Sequence, residues 1–320
     1  MNKVASIFVY SLFSLCGIFH SCTEPYFKND YKDNSPTSGK LKVYYDEGME
    51  LHIKNQAYTF ESQYHEAKVE LIQTSENEAV EALFKDSCKA ILISRPLSEK
   101  EQASFKSINL IPFFSTVAIS GVALITNIET PLSQLTLEEI TRLLSESNEL
   151  KDTMGNELKV NVLFDKKNSG VMHYLLDSLL QKEHFASHCG VLGSTPETIQ
   201  FVSENKNTIA FIDFAWLSDT DDLLYKKVKD KIKFLPVQNK KKEYVYPSQS
   251  AFKLCSYPFT RSVFIYRRSN DFSLAKGFES FVAGPKGQMT FLKQGLLPSK
   301  QQERMVKVNF EAMSTGGNEK

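Results

Sequence analysis

The feature that most constrains the fold is an alternation of patterns along the chain. From Leu41 onward, short β-rich runs alternate with amphipathic helical patterns. This alternation is typical of an α/β protein with largely parallel sheets. At 320 residues the chain is too long for one typical domain and suits two α/β lobes. The predicted strands cover residues 41–45, 69–73, 90–94, 121–126, 160–164, 208–213 and 262–267.

Several helices between these runs carry a recognisable start. Ser75 followed by Glu78, and Thr136 followed by Glu139, form capping boxes, in which each partner satisfies a backbone N–H of the other. Ser169 can cap a third helix, because apolar residues recur behind it at helical spacing. These starts predict helices after residues 75, 136 and 169.

The N-terminal segment differs from everything that follows. Residues 4–19 form a nearly uninterrupted apolar run without charge, too short for a membrane span of about 20 residues but typical of a secretory signal. The run ends in a His-Ser-Cys sequence that resembles the lipobox of bacterial lipoproteins. We predict a lipoprotein signal peptide over 1–22, acylation of Cys22 and a flexible polar tether over 23–40. A signal peptide cut elsewhere and an uncleaved anchor are the alternatives.

Charge and cysteine content argue against several classes of protein. Lys+Arg and Asp+Glu both number 38, so the net charge is zero and no basic face for nucleic acid is expected. No CxxC motif occurs, which leaves a zinc ribbon or a thioredoxin-type site without support. Cys88, Cys189 and Cys255 have no framework spacing, so we expect buried thiols and leave one disulfide among them open. No cofactor is expected.

In three places a predicted strand ends, a short polar loop follows and a helix begins. These loops lie at Tyr45, Thr74 and Lys167. In open α/β sheets ligands bind at the carboxyl ends of strands, where the first N–H groups of helices are unpaired and favour an anion. The three loops are therefore candidates for an anion site, although every α/β protein has loops of this kind.

The C-terminal third and several upstream segments carry motifs that occur together in one family. The segments are Ile93-Ser94-Arg95-Pro96-Leu97 with Glu99, residues 120–127, Leu135-Thr136 with Glu139-Ile140, Asn168-Ser169-Gly170, residues 208–212, Tyr257-Pro258-Phe259-Thr260-Arg261 with the strand 262–267, residues 278–282, Gly287-Gln288, and Gly295-Leu296-Leu297-Pro298. In order and spacing the chain resembles the phosphate-type solute-binding proteins of bacterial ABC transporters. Its acidic loops are similar to the lipoprotein branch common in Bacteroidetes.

The resemblance implies an α/β, two-lobed periplasmic binding protein fold of type II. Each lobe would be a mixed, mostly parallel sheet flanked by helices. Two crossover strands, near Ala123 and Phe252, would join the lobes, and hinge closure would bury a solute between them. The implied domains are lobe 1 (41–125 and 248–310), lobe 2 (126–247) and a tail (311–320).

The function implied by the resemblance is solute capture rather than catalysis. The protein would be a lipid-anchored monomer of the cell envelope, attached to the membrane through its N-terminal lipid. It would bind phosphate or a similar small oxyanion and hand it to membrane transporter subunits. The implied ligand-binding residues are Asp46, Glu47, Ser75, Ser94, Arg95, Asp165, Ser169 and Gly170.

Some positions depart from the phosphate pattern. The first loop has Asp46 and Glu47 in place of a hydroxyl, Asp165 stands where the family has an arginine, and Val171 replaces a threonine. A carboxylate about 4 Å from an anionic oxygen costs on the order of 4 kcal/mol at an effective dielectric near 20, unless a shared proton makes a hydrogen bond. The alternatives are a different small solute, or a scaffold that keeps the fold but has lost the phosphate site.

A metal- or thiol-dependent enzyme is the competing class. His184 and His188 are four residues apart and Cys189 is adjacent, a spacing that can place zinc ligands on one helix face. The glutamate of a metalloprotease motif is missing between them, and neighbours in sequence point apart on a helix. We therefore expect neither a metal site nor a catalytic thiol.

Overall fold

The computed structural model describes residues 34–300, so Cys22 and the tail 311–320 lie outside the described residues. The strands are β1 (Asn34–Ser35), β2 (Ser38–Asp46), β3 (Ala67–Thr74), β4 (Ala90–Ile93), β5 (Phe113–Asn127), β6 (Glu149–Lys151), β7 (Glu157–Lys159), β8 (Asn161–Phe164), β9 (Cys189–Val191), β10 (Thr208–Asp213), β11 (Ile232–Phe234), β12 (Val237–Gln238), β13 (Tyr244–Val245), β14 (Thr260–Arg267) and β15 (Leu297–Pro298).

Helices connect most of these strands. They are α1 (Glu50–Gln63), α2 (Glu76–Phe84), α3 (Glu99–Ser107), α4 (Leu137–Ser145), α5 (Gly170–Tyr174), α6 (Thr195–Glu204), α7 (Ala215–Ser218), α8 (Leu223–Val228), α9 (Gln249–Lys253), α10 (Leu274–Val282) and α11 (Pro285–Lys293). A 3₁₀ turn, Glu47–Met49, precedes α1, and a π-helical stretch, Leu175–Leu180, continues α5. Between residues 34 and 300 no helix is both long and apolar enough to cross a membrane.

Strand β5 connects two sheets. Up to Gly121 it pairs with β14, and from Val122 it pairs with β10. A Cβ at Gly121 would lie 2.7 Å from the carbonyl oxygen of Phe259, so the strand needs glycine where it leaves the first sheet. The predicted first crossover strand is present. We call the body around β1–β4, β14 and β15 the first lobe and the body around β8–β11 the second lobe.

The second connection between the lobes is a helix, whereas we predicted a crossover strand near Phe252. Helix α9 begins after Ser248, whose hydroxyl accepts a hydrogen bond from the N–H of Ala251 at 3.2 Å. This cap satisfies a first-turn N–H and makes the helix the favoured local structure. Phe252 is buried and packs edge-to-face on Phe214.

Both sheets are mixed, as predicted, but fewer of their neighbours are parallel than expected. In the first lobe β2 is parallel to β3 and β4, and in the second β8 is parallel to β9 and β10. Strand β14 runs antiparallel to β4 and β5, and β10 runs antiparallel to β5. Strand β14 therefore runs against β2–β4, whereas β5 runs in the same direction as β2–β4 in the first lobe and against β8–β10 in the second. The parallel strands of each lobe still end at a common edge.

Helices pack their apolar faces on the sheets and so fix the strand ends. In α4 the predicted capping box of Thr136 and Glu139 is present, and Ile140, Leu143 and Leu144 are buried. Burying a side chain of this kind stabilises by about 1.5–3 kcal/mol. One large apolar core extends through both lobes, and a smaller one lies between α2, α3 and β4.

The polar segment that we assigned to the tether joins the fold earlier than expected. Residues 34 and 35 pair with the start of β2 as a hairpin. Pro36 lies so close to α10 that a Cβ at Gly277 would be 1.8 Å from its carbonyl oxygen. The N–H of Leu274 also donates to the Asn34 side chain at 3.1 Å. Residues 34–40 therefore belong to the folded body.

The three cysteines of the described chain are free thiols. Cys88 is buried and Cys189 is partly buried, as a structural thiol would be, but Cys255 is exposed, contrary to our expectation. Cys255 follows α9 with a left-handed φ of 50°. Residues in such turns lie at the surface, because the chain reverses there.

Candidate functional site

Aspartates lie at the carboxyl ends of three strands, and the topology brings them together. Asp46 ends β2, Asp165 follows β8 and Asp213 ends β10. Each is at most 2% exposed, and their charges act on one another. Buried carboxylates persist only when they are paired, hydrogen-bonded or protonated. The partners of these three therefore define what the site can do.

Arg261, near the start of β14, is the cation of this cluster. Its guanidinium pairs with Asp213, and both side chains are buried. Burial disfavours the charged form, but Asp213, Glu76 and Asp46 outweigh it and raise the pKa of Arg261. Its Nε has no hydrogen-bond partner among residues 34–300. The guanidinium thus keeps a donor available to a ligand.

Two further donors hold Asp213 in place. The hydroxyl of Ser120 donates to its Oδ1 at 2.7 Å, and the N–H of Ala215 donates to the same oxygen at 2.9 Å. Ser120 lies on β5 just before the strand changes sheets. Hydrogen bonds to a carboxylate are about twice as strong as neutral ones, so the Asp213–Arg261 pair is fixed to both lobes.

Asp46 and Asp165 retain a proton more easily than they would in water. Burial, and then the charges of Glu76 and Asp165, raise the pKa of Asp46 well above its usual value. Burial raises the pKa of Asp165 to about 7, against the effect of its hydrogen bonds from Ser169 and Lys166. The Ser169 hydroxyl donates to Asp165 at 2.5 Å and the Lys166 N–H at 2.9 Å. Near neutral pH this cluster can therefore hold a carboxyl proton as well as a carboxylate.

Glu76, the first residue of α2, points into the site and away from solvent. Its Oε1 accepts a hydrogen bond from the N–H of Ser94 at 2.7 Å, and its Oε2 lies 3.4 Å from Nε of Arg95. The carboxyl group packs on Gly170 of the second lobe, where a Cβ would lie 2.8 Å from the carboxyl carbon. Glu76 is 1% exposed. An acid of the first lobe thus lies against the first turn of α5.

Glu47 also reaches the second lobe. Its Oε1 accepts a hydrogen bond from the N–H of Thr195, the first residue of α6, at 3.0 Å. Nζ of Lys166 lies 3.7 Å from its Oε2. Burial is the largest effect on this carboxyl group, and it raises the pKa of Glu47 despite those partners. The Glu47 carboxyl group is therefore held by the Thr195 N–H at one oxygen and attracted by Lys166 at the other.

The structure brings part of the predicted site together. Asp46, Asp165, Ser169 and Gly170 lie in one cluster, since the Gly170 N–H donates to Asp46 at 3.4 Å and Ser169 donates to Asp165. Glu47 borders this cluster through its contact with the second lobe, and Ser94 borders it through Glu76.

The other two predicted residues have polar groups that already pair within the chain. The Ser75 hydroxyl accepts the Glu78 N–H at 3.3 Å, and the Glu78 carboxylate accepts the Ser75 N–H at 3.0 Å, which completes the predicted capping box. The Ser75 hydroxyl also donates to this carboxylate at 2.9 Å. Arg95 makes two hydrogen bonds of 2.8 Å to the carboxylate of Glu101. Ser75 is thus used to start α2, and Arg95 to hold α3 near the strand end.

Sequence reasoning missed Glu76, Asp213 and Arg261. Asp213 ends a predicted strand, so the strand-end argument could have found it. Arg261 closes the Tyr-Pro-Phe-Thr-Arg motif, but no local pattern shows that it faces the other lobe. Glu76 looks like an ordinary first-turn acid of a helix, because its position next to Gly170 depends on the packing of the two lobes.

A cavity of about 760 Å³ opens beside this cluster. Its volume is in the range of small-molecule sites, roughly 300–1,000 Å³. Both lobes contribute to its wall, which combines paired charges with aromatic rings. The lining residues that matter here are Glu76, Ser94, Arg95, Gly170, Tyr174, Arg261 and Phe264.

The geometry around Cys189 and His188 does not support the thiol or metal alternative. Burial raises the pKa of the Cys189 thiol to about 11, whereas a nucleophilic thiol needs a lowered pKa. Nε2 of His188 lies 2.7 Å from the carbonyl oxygen of Leu143, so this ring is held by the backbone. Within the part of the chain that the structure describes, no three His, Cys, Asp or Glu residues are grouped to hold a metal ion.

Comparison with known proteins finds the same fold elsewhere. A family model described as a PBP superfamily domain matches residues 34–286. A structure from Clostridium perfringens, described as a phosphate ABC transporter substrate-binding protein with bound phosphate, matches with a TM-score of 0.70 and 18% identity over 82% of this chain and 100% of that chain. An ABC-type phosphate transport receptor from Vibrio cholerae gives a TM-score of 0.63 and 17% identity over 80% and 99%.

One relative is also found by sequence. Protein SphX of Synechococcus elongatus is 24% identical over 181 residues, which is 54% of this chain and 51% of SphX. The match thus spans about half the length of that relative. The solved structures are only 17–18% identical to this chain, so they show its fold and do not identify its ligand.

Proposed function

The chain belongs to the PBP superfamily, and from this we propose that it is an extracytoplasmic solute-binding protein that captures a small oxyanion, phosphate in the first place. The solute would be held between the lobes and handed to membrane transporter subunits. The observation that carries the proposal is Arg261, a buried cation with an unpaired Nε on the wall of a cavity that both lobes line. Solved proteins of the same fold are described as phosphate receptors.

Phosphate would be recognised here through shared protons as well as positive charge. Arg261 supplies the guanidinium, and the hydroxyl of Ser94 has no partner among the described residues. Asp46 or Asp165 would accept a hydrogen bond from a protonated phosphate oxygen, or donate one when it is itself protonated. Binding should therefore favour the monoanion and weaken as pH rises through the second ionisation of phosphate, near pH 6 to 7.

Calorimetric titration of the protein with phosphate tests the proposal. We expect binding near pH 5.5 and weaker binding near pH 8. Arg261→Lys keeps a charge but loses the planar fork, so binding near pH 5.5 should weaken about tenfold or more. Arg268→Lys is the matched control, because Arg268 pairs with Asp86 at 3.1 Å and does not line the cavity. If the wild type gives no heat at either pH, phosphate is the wrong solute.

A larger solute is the second candidate, and the size of the cavity favours it. A volume of about 760 Å³ exceeds what one phosphate ion fills, and Tyr174 and Phe264 add aromatic wall. Mass spectrometry of undialysed protein, first native and then denatured, tests this candidate. A retained organic molecule would support it. If no molecule is retained and no phosphate heat appears, the better interpretation is a scaffold that keeps the fold but has lost the phosphate site.

We extend the proposal to the arrangement of the chain in the cell. The protein would act as a monomer in the cell envelope, attached through lipid on Cys22. Lobe 1 would comprise residues 41–125 and 248–310, and lobe 2 residues 126–247. The change of partners along β5 at residues 121 and 122 supports the first of these boundaries within a few residues.

A further inference from the structure

Acids of the first lobe touch the backbone of the second lobe at three points. Glu47 accepts a hydrogen bond from the Thr195 N–H at 3.0 Å, and Asp46 accepts one from the Gly170 N–H at 3.4 Å. The Glu76 carboxyl group packs directly on Gly170. The three acids are at most 4% exposed.

The Glu47 contact has the best geometry of the three. Thr195 opens the ten-residue helix α6, and its N–H is one of the first four that lack a partner within the helix. The helix dipole favours a carboxylate at this end, and Lys166 adds a second attraction from 3.7 Å. Glu47 is itself held in position, because Asp46 caps its turn through the Gly48 N–H at 3.2 Å. The carboxylate is thus preorganised to join the lobes.

Glu76 and Gly170 form a close contact between the lobes. A Cβ at Gly170 would lie 2.8 to 3.0 Å from the carboxyl carbon and oxygens of Glu76. A carbon atom does not come this close without repulsion. Gly170 is not among the glycines with a positive φ, so glycine is needed here for space and not for its backbone conformation. An added methyl group would meet only the end of the Glu76 side chain, so this side chain would have to move.

We propose that Glu47 is a latch that holds the two lobes together through the Thr195 N–H, with the Glu76 side chain packed on Gly170 beside it. The inference rests on the proposed function only in treating the space between the lobes as a cleft that opens. A hydrogen bond to a charged group changes an equilibrium constant by about 10- to 100-fold. Loss of the latch should shift the balance of closed and open molecules by that factor.

Small-angle X-ray scattering of the mature chain, refolded into phosphate-free buffer, tests the latch. Glu47→Ala should raise the radius of gyration because the lobes open. Gly170→Ala should raise it less, because the new methyl group meets the end of the Glu76 side chain, which can move. Glu50→Ala is the matched control at the start of α1, three residues further along, because Glu50 pairs only with Lys54 of its own helix among the described ion pairs. The control should have the wild-type radius.

The experiment distinguishes a failure of the latch from a failure of phosphate binding. An unchanged radius for Glu47→Ala, in a variant with native circular dichroism, overturns the latch even if Gly170→Ala expands. Expansion of Glu47→Ala with no phosphate heat in any variant keeps the latch and rejects phosphate. Should Glu47→Ala fail to fold, Glu47→Gln decides, because the amide keeps the size of the side chain and removes its charge.

Discussion

At the scale of single residues, the buried acids outnumber the cation that faces them. Asp46, Glu76, Asp165 and Asp213 all act on one another or on Arg261. Burial, and repulsion from the neighbouring acids, raise the pKa of Asp46 and Asp165. The site is therefore most stable when Asp46 or Asp165 carries a proton.

The stability of the protein should fall with rising pH where Asp165 titrates. Its folded pKa of about 7 lies above the usual 3.8, so the folded state binds the proton more tightly. That contribution to the free energy of unfolding is complete below about pH 4 and lost as pH rises to about 7. In Asp165→Asn, which can still accept a hydrogen bond from Ser169, this loss should disappear. The difference from wild type should be at most a few kcal/mol, at about 1.4 kcal/mol per pK unit.

Urea unfolding near pH 4.5, 6 and 7.5 measures this difference. Asp152→Asn is the control, because Asp152 lies in an exposed turn where hydrogen bonds, first from the Asn156 side chain, lower its pKa. It should not remove the decrease. Equal pH slopes for Asp165→Asn and the wild type would show that a different group holds the proton.

At the scale of secondary structure, the helix starts should behave independently of the site. In α4 the Thr136 hydroxyl accepts the Glu139 N–H at 3.1 Å. Thr136→Ala removes this acceptor and should lower the free energy of unfolding by about 1 kcal/mol, measured by urea titration. Thr141→Ala, on the same helix, is the control. Its hydroxyl donates to the Leu137 carbonyl at 2.8 Å, a bond that adds little to a helix. Equal stability of the two variants would contradict a role for the cap.

The sequence predicts most reliably the local features that depend on residues close together along the chain. The capping boxes of Ser75 and Thr136 are confirmed, because each depends on residues three apart. The cap at Ser169 is also confirmed, but the helix behind it changes to a π-helix at Leu175. An apolar stripe at helical spacing does not distinguish these two helix types, since both bury leucines on one side.

Contacts between the lobes are what the sequence could not predict. Asp213 and Arg261 are 48 residues apart and meet because β5 pairs with both β10 and β14. Glu76 and Gly170 meet only when the lobes approach. The strand-end argument found the loop that contains Asp46, and the resemblance to the phosphate-type family found Asp165; both need only the local order of the chain. The missing members of the cluster depend on long-range register, which no local pattern contains.

At the scale of the whole molecule, the proposed lipid anchor can be tested apart from solute binding. A palmitate analogue fed to the native host should label the wild type, and Cys22→Ala should abolish the label because the acylated thiol is gone. Cys255→Ala is the control, since Cys255 is an exposed thiol of the folded body. One acyl chain binds membranes only weakly, so stable attachment requires more than one. Labelling that survives Cys22→Ala would contradict the anchor.

The position of β14 also affects the order in which the chain can fold. This strand lies between β4 and β5, yet β4 ends at Ile93 and β14 begins at Thr260. During synthesis, β4 and β5 therefore cannot pair with β14 until most of the polypeptide has been made. Pairing over such a separation is slow, and unpaired edges aggregate readily. A chain stopped before residue 260 would lack this strand, so the edges of β4 and β5 that face it would stay unpaired.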